Sequence, residues 1–72
     1  SIKFMYLPAQ CDITIYSLSG VKIKEIRHDD NTGIENWNMT NDFGQDISFG
    51  VYVFVVTTSE GKNKVGKFAI IK

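Results

Sequence analysis

The side chains here that could do acid–base, nucleophilic or metal chemistry are few: one thiol, Cys11, one imidazole, His28, and the oxygen-bearing groups of Asp29, Asp30, Asn31, Asp42 and Asp46. A catalytic imidazole needs a serine or cysteine nucleophile in a relay, and no arrangement in the sequence supplies one for His28. A catalytic carboxyl needs apolar burial or a like charge to raise its pKa, and these carboxylates fall in polar stretches that predict neither. Zinc would need more Cys or His than Cys11 and His28 provide. Calcium takes six to eight hard oxygens, but the spacing of Asp29, Asp30, Asn31, Asp42 and Asp46 matches no calcium loop. Solvated turn residues are the favoured reading of all five. The sequence therefore predicts no catalytic, cofactor-binding or metal-ligating residue, no cofactor, and a chain that is not an enzyme.

The elements that must position these groups are strands. Helix would need apolar residues at three-to-four spacing over ten or more positions, and no window has it. Ile2, Phe4 and Tyr6 alternate with Lys3 and Met5, a first strand that should stop near Leu7 because Pro8 lacks an N–H for ladder pairing. Cys11, Ile13 and Ile15 alternate with Asp12 and Thr14, which puts the apolar set on one face and makes Cys11 a small core filler. Leu18-Ser19-Gly20-Val21 reads as a hairpin turn into a third strand carrying Val21 and Ile23. His28-Asp29-Asp30-Asn31-Thr32-Gly33 is polar throughout and reads as a surface loop.

A fourth strand over residues 34–39 is centred on Trp37, and the turn chemistry of residues 40–46 leads to a short extended piece at 47–49. Burial of Phe43 or Ile47 should order that connection. Residues 51–58 are β-branched or aromatic at every position, as a central strand requires. Ser59-Glu60-Gly61-Lys62 makes a hairpin turn, and residues 65–71 form a last strand with Phe68 and Ile70 on one face. Six or seven short strands joined by glycine turns indicate a sandwich or barrel.

With 72 residues and no linker-like stretch, the chain holds one core and reads as a single domain over 1–72. Hydrophobic residues make up 43% and charged residues 22%, enough apolar surface to fold. Eight Lys and Arg balance eight Asp and Glu, so no bulk field attracts nucleic acid or anionic lipid. The apolar run 51–56 is far shorter than the roughly 20 residues of a spanning helix, and no membrane insertion is expected. Ser1 carries no signal-peptide pattern, and the chain reads as the C-terminal module of a larger protein.

The stretch from Trp37 through Asn38, Asn41, Asp42, Gly44 and Gly50 to Tyr52 resembles the signature of the flagellar hook-capping immunoglobulin-like family and the related C-terminal sorting domains of type IX secretion. In that family a Trp followed by Asp or Asn leads through an Asn/Asp-rich turn with a Gly to a Gly-x-Tyr that opens the next strand. Leu7-Pro8-Ala9, Ile13-Thr14-Ile15-Tyr16 with Gly20, and the ending Gly66-Lys67-Phe68-Ala69-Ile70-Ile71-Lys72 are similar to the family's proline-led strand, its first hairpin and its basic, aliphatic end. Met39 departs from the pattern, standing where many members have Gly, and a proline-bearing segment that usually precedes the first strand is not among these residues.

The resemblance implies an all-β fold, an immunoglobulin-like antiparallel β-sandwich of about seven strands. It makes Trp37, Gly44, Gly50 and Tyr52 a structural signature, and places sorting or partner recognition on Gly50, Tyr52, Lys67 and Lys72. The implied function is a secreted or cell-surface module that directs export and surface attachment, with the secretion machinery or an adjoining domain as partner. A structural spacer or polysaccharide-binding accessory module is the alternative, with Trp37 as the stacking face. Its place among strands that need a large filler favours a core role for Trp37, and the same balance holds for Tyr52 and Phe54 against an exposed docking patch. Lys62, Lys64, Lys67 and Lys72 gather positive charge towards the C-terminus, which serves either recognition or protection of a sheet edge.

Overall fold

The computed structural model describes residues 2–71. Six strands lie among them: β1 (Ile2–Phe4), β2 (Gln10–Ser17), β3 (Lys22–Asp29), β4 (Glu35–Trp37), β5 (Gly50–Thr58) and β6 (Asn63–Ile70). Four make an antiparallel sheet in the order β3-β2-β5-β6, and β1 pairs antiparallel with β4 in a second, two-stranded sheet. The chain is all-β, and its core lies between the two sheets.

Period-two patterning fixes the inner face. Cys11, Ile13 and Ile15 of β2 have no exposed surface, and Tyr52 and Val56 of β5 and Ile70 of β6 join them, closed over by Phe4 and Trp37 from the small sheet. Burying each large aliphatic side chain contributes about 1.5–3 kcal/mol. The hairpin turns follow the glycines: Gly20 (φ 90°) and Gly61 (φ 82°) sit in left-handed conformations, with Gly20 N–H donating to Ser17 O and Gly61 N–H to Thr58 O, each at 3.0 Å.

Several expectations are corrected. The strand count is six rather than about seven, because the 47–49 segment makes no ladder; a single bridge, Thr40 to Asp46, precedes it, and Ile47 N–H donates to Met39 O at 3.1 Å. The first strand ends at Phe4 instead of near Leu7, since Tyr6 turns to φ 59° and leaves its ring 92% exposed. The fourth strand covers three residues, not 34–39, because Met39 adopts φ 62° and breaks the extended run. That left-handed backbone gives a physical reason for glycine to be the common residue at this place in the resembling family. Ile47 is the residue whose burial orders the connection, while Phe43 is 87% exposed.

The polar run from His28 does not begin a loop; β3 continues through Asp29, paired with Gln10 and Cys11 of β2, and His28 is 1% exposed. The loop proper begins at Asp30.

Candidate recognition face

The signature residues and the last strand meet in one register. Gly50 pairs with Ile70, Tyr52 with Phe68, and Val53 with Lys67. Gly50, at φ 148°, lies where only glycine sits without strain, and it swings the chain into β5 so that Tyr52 faces inward. The Tyr52 hydroxyl donates to Ser48 O at 2.7 Å, which anchors the 47–49 segment, and its ring stacks on Phe68 with centroids 5.8 Å apart at 21°. Phe68 in turn meets the Trp37 indole edge-on at 5.8 Å and 78°.

Trp37 is 2% exposed and its indole N–H donates to Thr40 O at 2.9 Å. It fills the core, and no face of the ring is open to stack on a sugar. Gly44 (φ 78°) closes a turn organised by Asn41, whose side-chain oxygen accepts from Phe43 N–H at 2.9 Å and Gln45 N–H at 3.0 Å. Trp37, Gly44, Gly50 and Tyr52 therefore all shape the scaffold, and of the residues assigned to recognition Lys67 alone presents an exposed side chain among the described residues. Lys72 lies outside the described residues.

The outer face of the four-stranded sheet carries Lys67 in an apolar setting. Register places Val53 and Tyr16 in its row, Val55 and Val65 in the next, and Val51 opposite Ala69. Val65 is 65% and Val51 44% exposed. β6 is also a sheet edge, and its lysines, Lys64 and Lys67, discourage open-ended strand pairing.

The acid–base groups are dispersed. His28 lies between the carboxylates of Asp30 (3.4 Å from Nε2) and Glu35 (3.7 Å from Nδ1), and neither ring nitrogen makes a hydrogen bond among the described residues. Cys11 is its cross-strand neighbour, but burial pushes the Cys11 thiol pKa up and the sulfur is closed to solvent, so the pair lacks an accessible thiolate. The sequence pattern contained one signal for His28 that composition hid: it shares the parity of Ile26, two residues earlier on the same strand face. Asp42 is engaged with Glu25 N–H at 3.2 Å, away from Asp30, and no group of three or more potential metal-binding side chains forms among the described residues.

Asp30 caps its own turn: the Thr32 hydroxyl donates to its carboxylate at 2.6 Å and Thr32 N–H at 2.9 Å. These bonds, the hydroxyl's first, hold the Asp30 pKa below the ordinary carboxylate value. A lowered folded-state pKa stabilises the fold above the unfolded value and is lost as pH falls through the folded one. Thr32→Val is expected to move the Asp30 titration upward, part of the way to that of a free aspartate, as read by carbon-detected NMR of its carboxyl; an unchanged midpoint would contradict the assignment.

No protein-family model matches the chain, and no curated protein matches it in sequence. Among solved structures it is similar to a portion of PorZ, described as an essential bacterial surface component of the type-IX secretion system of human oral-microbiomic Porphyromonas gingivalis. The likeness has a TM-score of 0.79 and 25% sequence identity, covers 97% of this chain, and spans 9% of the PorZ chain.

Proposed function

We propose that this chain is a non-catalytic, immunoglobulin-like module of a secreted or cell-surface protein that works with type IX secretion as a sorting domain, directing export and surface attachment by binding rather than by bond chemistry. The observation that carries the reading is the likeness of nearly the whole chain to part of a type IX surface component. The pairing of the Gly50–Tyr52 signature with the Phe68–Ile70 end of the last strand supports it, because the fold joins the two segments that the resemblance marks for recognition. Gly50 and Tyr52 hold that end in register, and Lys67 is the group available to a receptor.

The test is a reporter carrying a periplasmic signal, with this module fused behind it, expressed in a type IX bacterium. The expected result is surface or medium localisation, reduced at least severalfold by Lys67→Glu; retention in the periplasm would overturn the reading. A spacer role has one specific observation in its favour, that the similar protein is described as a component of the secretion system rather than its cargo. Periplasmic retention of a well-folded fusion is the outcome that role expects.

A further inference from the structure

The small sheet pairs β1 with β4 alone, so the other edge of β1 carries no ladder among the described residues. β1 pairs with β4 on one side through a three-residue ladder, Ile2 to Trp37, Lys3 to Asn36 and Phe4 to Glu35. On its other side a groove of about 300 Å³ runs between residues 2–8 and the inner face of β5 and β6, and no β4 residue lines it. The cleft lined by Asn36, Trp37 and Asn38 of the β4 region is a separate one, against Lys24 and Ile26 of β3. The open edge of β1 and the apolar groove are thus on the same side.

We infer that this edge and groove dock an extended segment of a partner polypeptide, with apolar side chains at alternate positions and a carboxylate between them. In an antiparallel strand alternate residues point their N–H and C=O groups away from the existing partner, so an incoming strand finds a hydrogen-bonding template. Its alternate side chains would drop onto Phe4, Leu7, Phe54, Val56 and Phe68. This floor is pre-formed: Phe54 meets Phe4 edge-on at 5.4 Å and lies 6.1 Å from Phe68. Gly66 maintains it, because a Cβ there would fall 2.3 Å from the Phe54 ring.

Charge selects the occupant. Lys3 and Lys64 border the groove, both are exposed, and neither makes an ion pair with a carboxylate among the described residues. An acidic residue in the incoming strand would meet two unpaired ammonium groups. A second copy docking β1 to β1 would set Lys3 against Lys3, so the same charges oppose self-association. This inference stands apart from the secretion reading, and its test needs no secretion system.

The probe is a blocked octapeptide of alternating valine and threonine with a central glutamate, titrated into the isotope-labelled domain, alongside a counterpart with lysine in place of the glutamate. Saturable NMR shifts are expected at the amides of Ile2, Lys3, Phe4, Phe54, Val56 and Phe68, with the glutamate peptide binding at least tenfold more tightly. The double variant Lys3→Glu/Lys64→Glu, altered at exposed positions and checked for an unchanged spectrum elsewhere, should reverse that preference. Shifts confined to the outer edges of β3 or β6, no saturation at millimolar peptide, or equal affinity for the two peptides would overturn the inference.

Discussion

Trp37→Ala is expected to remove a large share of the domain's stability. Removing a buried indole costs about 3–5 kcal/mol, the transfer term together with the cavity left behind. A chain of this length has a total stability of roughly 4–11 kcal/mol. Trp37 is also the main contribution of β4 to the core: it pairs with Ile2, contacts Phe68 edge-on and donates to Thr40 O. Its loss would leave that carbonyl short of a partner and detach the two-stranded sheet. Trp37→Phe keeps an aromatic filler but not the donor, and should fall between wild type and alanine. Urea unfolding followed by far-ultraviolet circular dichroism measures the series; a loss smaller than about 1 kcal/mol for alanine would mean the indole is not what joins the sheets.

Gly50→Ala is expected to cost about 1–3 kcal/mol through backbone strain alone. A Cβ at Gly50 would meet nothing closer than the Tyr52 ring at 4.0 Å, so there is no clash to confuse the result. Gly44 gives the contrast. Its φ of 78° lies near the left-handed region that asparagine tolerates and a Cβ there has open space, whereas the 148° of Gly50 does not belong to that region. Asparagine should therefore be accepted at position 44 with a small loss and rejected at position 50. Equal effects at the two sites in thermal unfolding would show that the Gly50 conformation is not needed to open β5.

The layered β architecture was readable because its strongest signals are periodic. Alternation in β2 and the β-branched run of β5 predict the two central strands, and the glycines at 20 and 61 mark both hairpins. Where the structure departs from the sequence pattern, polarity and alternation do not coincide with the ends of the strands. His28 has the composition of a loop, yet pairing with Cys11 extends β3 and draws the ring inside. Tyr6 continues the alternation of Ile2 and Phe4, but a left-handed backbone turns it outward. Local pattern carries only the parity shared with Ile26 for His28 and nothing for Tyr6, since each is settled by a partner strand or a chain reversal.

The candidate site was legible in part for the same reason. The family resemblance makes Trp37, Gly44, Gly50 and Tyr52 conspicuous, and the structure uses them as scaffold. The groove beside β1 depends on residues far apart in sequence, Phe4 with Phe54 and Phe68, and on the missing side chain at Gly66. No spacing rule points to such a feature before the sheets are brought together.

Cys11 gives the domain a built-in clock. With its sulfur sealed in the interior and its proton held more tightly than in a free thiol, an alkylating reagent can reach it only after the layers part. The pace of its modification therefore reports the open population, and with reagent fast enough to outrun reclosing it counts the openings themselves, with no added label.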